Sequence, residues 1–103
     1  MDESAYERLA AAAWKRLLDA FEAVDPEDAD VDVAGDVIRI ELRGGARLVL
    51  NTQRPAQQLW LAGGQSAWHF SYDQAGGRWL DDRGRGELFE ILAGLTRIPI
   101  GVG

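Results

Sequence analysis

The sequence predicts an α+β fold, a two-layer sandwich with two helices packed on one face of an antiparallel sheet of five to six strands. Three observations predict it. Apolar residues recur at helical spacing near both ends of the chain. Between them the spacing changes to two, as in strands with one buried side. Those strands follow one another through short glycine turns, which favours antiparallel neighbours. At 103 residues the chain is expected to form a single domain spanning residues 1–103.

The first helix is predicted over residues 4–24. Ser4 is the expected cap, with Glu7 three positions on completing a capping box. Tyr6, Leu9, Ala10, Ala13, Leu17, Phe21 and Val24 form its apolar face. Pro26 disfavours helix at the residue before it and ends the element. An acidic linker, Asp25–Ala29, leads into Asp30-Val31-Asp32-Val33, where acids take one face and valines the buried one. Gly35-Asp36 is a turn signal. Ile38, Ile40 and Leu42 mark the inward face of a second strand. Gly44-Gly45 turns the chain into a third, with Leu48 and Leu50 inward and Arg47, Val49 and Asn51 outward. Pro55 stops that pairing. Leu59–Ala62, Trp68–Tyr72 and Arg78–Asp81 are the remaining strands, separated by Gly63-Gly64 and Gly76-Gly77, with Phe70 in the core. Leu88, Ile91, Leu92 and Leu95 mark a second helix of about three turns. The apolar tail Ile98-Pro99-Ile100 is too short for an element of its own.

Composition restricts function. There is no cysteine, which removes disulfides, thiolate metal sites and a cysteine nucleophile. No apolar run reaches membrane-spanning length, and the polar start Met1-Asp2-Glu3-Ser4 does not read as a signal peptide. The net charge of -6 argues against nucleic acid as a partner, because phosphates need Lys and Arg. That charge is unevenly placed. Residues 1–36 carry eleven acids against three basic residues, a net of -8; the remainder carries eight arginines against six acids, a net of +2.

Asp19, Glu22, Asp25, Glu27, Asp28, Asp30 and Asp32 concentrate this charge from the end of the first helix to the first strand. Carboxylate oxygens are hard ligands for Mg²⁺, Ca²⁺, Mn²⁺ or iron. Charge alone leaves two readings open, a solvated face and a site for cations or a basic partner. A second cluster sets Asn51, Gln53, Arg54, Gln57 and Gln58 beside Trp60, the composition of a protein-binding surface if Trp60 faces water. Alternation alone does not decide between Trp60 and its leucine neighbours for the core. His69 lies on the face opposite Phe70 and has no ligand partner placed by the sequence. The serines form no nucleophile elbow, the glycines have no phosphate-loop spacing, and Trp14 and Trp79 read as packing residues.

The order and spacing of Asn51-x-Gln53-x-Pro55-x-x-Gln58-Leu59-Trp60-Leu61-Ala62, then His69-Phe70, then Trp79-x-Asp81-Asp82-Arg83, resemble the frataxin family, most closely its bacterial CyaY branch. Arg8-Leu9-Ala10, Trp14 and the acids that follow extend the resemblance from Ser4 to about Leu95. It implies a frataxin-like sandwich and an iron-binding accessory protein of iron–sulfur cluster assembly, cytoplasmic and without an organic cofactor. It implies Fe²⁺ and Fe³⁺ held loosely on Asp19, Glu22, Asp25, Glu27, Asp28, Asp30 and Asp32, with Glu27 and Asp28 competing for one place in the linker. It implies docking on cysteine desulfurase and the iron–sulfur scaffold protein through Glu22 and Asp25 on the ridge and Asn51, Gln53 and Trp60 on the open sheet face. It further implies a monomer that iron can drive to oligomerise, and a tail that packs on the helices. Two rival functions stand beside this one: an acidic interaction module with incidental metal binding, and an iron-oxidising or iron-storage oligomer. The absence of a preorganised ligand set in the sequence favours binding over catalysis.

Overall fold

The chain enters its first helix through Asp2. Its Oδ1 accepts the Ala5 N–H at 2.7 Å, and its carbonyl accepts the Tyr6 N–H at 3.0 Å, a carboxylate cap at the positive end of the helix. The computed structural model describes residues 1–100. Its elements run α1 (Glu3–Glu22), β1 (Ala29–Ala34), β2 (Val37–Leu42), β3 (Arg47–Gln53), β4 (Gln58–Gly63), β5 (Ser66–Asp73), β6 (Arg78–Asp81) and α2 (Leu88–Thr96). The capping box expected at Ser4 is not formed. Ser4 Oγ instead accepts from Arg8 at 3.2 Å, and Glu7 is drawn to Arg54 at 3.3 Å. Asp2 wins because its carboxylate reaches the open amides from two residues earlier. The helix also stops two residues before Val24.

The six strands form one antiparallel sheet in the order β1-β2-β3-β4-β5-β6. The β1–β2 and β4–β5 turns are two residues long, Gly35-Asp36 and Gly64-Gln65, each with a positive φ at its first position. Glycine meets that demand without steric penalty. Gly63, expected in the second turn, sits inside β4, where the Leu48 side chain packs so closely that a Cβ would collide with it.

Both helices lie on one face. Tyr6, Ala10, Ala13, Leu17 and Phe21 of α1 and Leu88, Phe89 and Leu92 of α2 bury against Ile38, Ile40, Leu48, Leu50, Leu59, Leu61, Phe70 and Trp79. Removing this apolar area from water is the main stabilising term, roughly 1.5–3 kcal/mol for each fully buried large side chain. Trp79 is packed edge-on by Tyr6 and Tyr72, with ring centres 6.1 and 5.2 Å away. The Tyr6 hydroxyl donates to the Gln58 carbonyl at 2.8 Å, and burial raises its pKa. Ile100 of the tail is buried and Ile98 packs against the core, so the tail does close on the helical layer. The valine face of β1 departs from expectation. Val31 is only half-buried and Val33 is 45% exposed, because β1 is the outermost strand.

Candidate functional site

The acidic linker is wound rather than extended. Asp25 and Pro26 start a turn in which the Asp25 carbonyl accepts from the Asp28 and Ala29 amides at 2.8 and 3.1 Å. Asp25 Oδ1 accepts the Glu27 N–H at 2.9 Å. Asp at the first turn position and Pro at the second are the residues such a turn favours. The linker therefore passes directly from α1 to β1 and leaves Asp19, Glu22, Asp25, Glu27, Asp28, Asp30 and Asp32 all exposed along one short path.

Three of these carboxylates have basic neighbours. Lys15 Nζ lies 2.7 Å from Asp19, one helical turn away, and this hydrogen bond raises the lysine pKa. Arg43, on the β2–β3 turn, donates from Nε and Nη2 to Asp28 Oδ1 at 2.9 and 2.6 Å. Arg39 reaches Asp32 at 4.0 Å. Among the described residues, Glu22, Asp25, Glu27 and Asp30 have no ion-pair partner. The last turn of α1 holds no basic residue, so the negative end of the helix dipole adds to these charges. Also among the described residues, no three His, Asp or Glu side chains converge as a metal-holding group. The donors suit hard cations such as iron, but as dispersed oxygens rather than as a cage.

The open sheet face holds the second cluster. Leu59 and Leu61 are buried and Trp60 turns outward, half-buried, which settles its orientation. The register aligns Asn51, Trp60 and His69 in one row across β3, β4 and β5. The Trp60 and His69 rings stack at 4.3 Å with 16° between planes. Trp60 Nε1 donates to Gln58 Oε1 at 2.8 Å. Gln58 in turn donates to Ser71 Oγ at 3.1 Å and to the Asp82 carboxylate, which Ser71 also reaches at 2.8 Å. Asn51 and Gln53 lie on the neighbouring strand β3, half-buried.

Sequence reasoning did not reach the Gln58–Ser71–Asp82 network, nor the support beneath it. Asp81 is buried and bonded to Arg85, whose Nη2 also donates to the Ala67 carbonyl at 2.6 Å. The Asp81-Asp82-Arg83 run was visible in the sequence; its partners lie on other strands and in the following loop.

Three comparisons bear on identity. A family model described as a frataxin-like domain matches residues 1–101. A protein of Cupriavidus metallidurans named iron–sulfur cluster assembly protein CyaY is 38% identical, covering 99% of this chain and 93% of the relative. Among solved structures, frataxin from Psychromonas ingrahamii superposes with a TM-score of 0.81 at 26% identity, covering 97% of this chain and 96% of that one. A trimeric frataxin from the yeast Saccharomyces cerevisiae, complexed with ferrous iron, does so at 0.60 and 25% identity, covering 94% and 84%. With the six-stranded meander, the two helices on one face and a family match spanning nearly every residue, this chain belongs to the frataxin family.

Proposed function

We propose that this protein is an iron-binding accessory protein of iron–sulfur cluster assembly, acting in the bacterial cytoplasm as a binder and not as an enzyme. The observation that carries the reading is the run of exposed carboxylates from α1 to β1, four of them without a basic partner among the described residues. The same border offers two functions. Fe²⁺ or Fe³⁺ is drawn to its hard oxygens and, with no three ligands converging among the described residues, exchanges readily, as cargo must. A basic partner is steered to it by charge, with an on-rate that falls as salt rises. The partners are the cysteine desulfurase and the iron–sulfur scaffold protein, with Asn51, Gln53 and Trp60 contacting them from the open face. Relatives named as assembly proteins support this assignment.

Titration with Fe²⁺ followed by amide NMR tests the site. Perturbation should concentrate at residues 19–32; perturbation elsewhere refutes it. A pull-down with cysteine desulfurase, with and without Fe²⁺, tests docking. Binding that survives chelation makes the border a protein-interaction surface first and an iron site second. The trimeric yeast relative motivates a second reading, an iron-driven oligomer that oxidises or stores iron. Light scattering and iron-oxidation kinetics with added Fe²⁺ distinguish it.

A further inference from the structure

The sheet has two edges, and they are finished differently. At β6 the following loop covers the edge: the Asp81 N–H donates to the Gly86 carbonyl at 2.9 Å, and Leu80 bridges Glu87. At β1 the strand pairs with β2 on one side, and among the described residues no other segment is hydrogen-bonded along its outer side.

The register identifies which backbone groups that edge presents. Ala29 faces Leu42, so Asp28 faces Arg43, and the Arg43 N–H donates to the Asp28 carbonyl at 3.1 Å. Hydrogen-bonded and non-hydrogen-bonded pairs alternate along an antiparallel ladder. Asp30 and Asp32 therefore direct their backbone groups towards Glu41 and Arg39 of β2, and Val31 and Val33 direct theirs outward. The side chains alternate as well. Asp30 and Asp32 project on the open face with Arg39 and Glu41, while Val31 and Val33 project on the helical side, with Val33 45% exposed.

We propose that the outer edge of β1 takes up an extended segment of a partner protein as a seventh strand, one in which basic and apolar residues alternate. The segment's N–H and C=O groups pair with those of Val31 and Val33. Its basic side chains lie beside Asp30 and Asp32, and its apolar ones beside the two valines. Charge selects this occupant. Asp30 faces Glu41 across the ladder, Glu41 is itself paired with Arg47 at 3.2 Å, and Asp32 has Arg39 only at 4.0 Å. Three acids therefore stand against two arginines on the open-face side, and Asp30 has no ion-pair partner among the described residues. A second copy of β1 would bring Asp30 and Asp32 against their own equivalents, which protects the edge from self-pairing. The proposal rests on the reading of the acidic border as a docking surface and adds the manner of docking.

The probe is a capped hexapeptide of alternating lysine and valine, titrated at low salt into the intact protein with amide NMR as the readout. The Val31 and Val33 amides should shift. In antiparallel addition the peptide valines lie opposite Val31 and Val33 and exchange hydrogen bonds with them. N-methylation of the valine nitrogens should weaken binding about tenfold, the loss of one or two backbone hydrogen bonds, and N-methylation of the lysine nitrogens should leave it intact. The reverse pattern supports strand addition with parallel polarity. Equal binding by both methylated peptides overturns strand addition and leaves charge-driven docking standing. No binding of the parent peptide overturns both. Val33→Pro removes one outward N–H without touching the ladder to β2, a place where an edge strand tolerates proline. Unchanged peptide affinity in this variant, with its circular dichroism preserved, also overturns the proposal.

Discussion

The carboxylate of Asp81 is gripped at both oxygens by Arg85: Oδ2 accepts from Nε at 2.8 Å and Oδ1 from Nη2 at 3.1 Å, with the acid's side chain only 1% exposed. The Arg83 and Arg85 amides add to Oδ2 at 3.2 Å, and the His69 amide reaches Oδ1 at 3.3 Å. The pair thus ties the loop after β6 to β5, directly behind the Trp60–His69 stack.

Asp81→Asn should destabilise the fold by about 2–3 kcal/mol, because it removes a charge-assisted pair from a buried position. Arg85 lowers the pKa of Asp81, outweighing the opposing effect of burial. In the unfolded chain the group titrates as an ordinary carboxylate, near pH 4. Its contribution is therefore full above that pH and is lost as pH falls through the lower folded value. Urea unfolding from pH 7 to pH 3 should show a shallower acid decline in Asp81→Asn than in the parent protein.

Arg43 holds Asp28 through two donors, yet their side chains are 67% and 53% exposed. Arg43→Gln should change stability by less than about 1 kcal/mol, as expected for a surface pair. It also frees Asp28 and makes the border one charge more negative. Iron affinity, followed by competition with a chelator, should rise; a fall would remove Asp28 from the iron-binding set.

Glu22→Lys with Asp25→Lys changes the charge of the border by four without altering a buried side chain. Desulfurase binding should weaken at low salt, mostly through a slower on-rate, and the difference should shrink as salt is added. Unfolding stability should hold or rise as self-repulsion is relieved. Binding kinetics by biolayer interferometry at two salt concentrations check this, and an unchanged on-rate would remove the docking role of these two acids.

Trp60 presents a half-buried ring to the open face, stacked on His69 and anchored by Gln58. Trp60→Ala should cost about 1–1.5 kcal/mol of folding stability, the value of an aromatic pair with partial burial, and reduce partner affinity by at least about tenfold if it is a docking anchor. Calorimetric titration with the partner complex, beside urea unfolding of the same variant, separates the two effects. A loss of stability with no loss of affinity would make the stack purely structural.

Most of the architecture was legible from local pattern. Helical spacing at Tyr6, Ala10, Ala13, Leu17 and Phe21 and period-two spacing at Ile38, Ile40, Leu48 and Leu50 name the buried face directly, because burial selects apolar side chains at the period of the backbone. Caps and edges were less legible. Ser4 carries the usual capping signature, but Asp2 offers a competing carboxylate two residues earlier. Val33 alternates like a core residue, but it lies on an outer strand with no further strand beyond it among the described residues.

The sequence by itself determined the meander of strands between two helices, the concentration of acids from Asp19 to Asp32 and the motifs of the frataxin family. These depend on residue type and on spacing along the chain. Only the tertiary structure decided that Trp60 faces outward against His69, that Lys15, Arg43 and Arg39 reach three of the acids, and that Asp81 closes on Arg85 behind the open face. Each of these is set by strand register and by side chains meeting in space, and the energy of such a contact depends on distance and burial, which the linear order of residues does not contain.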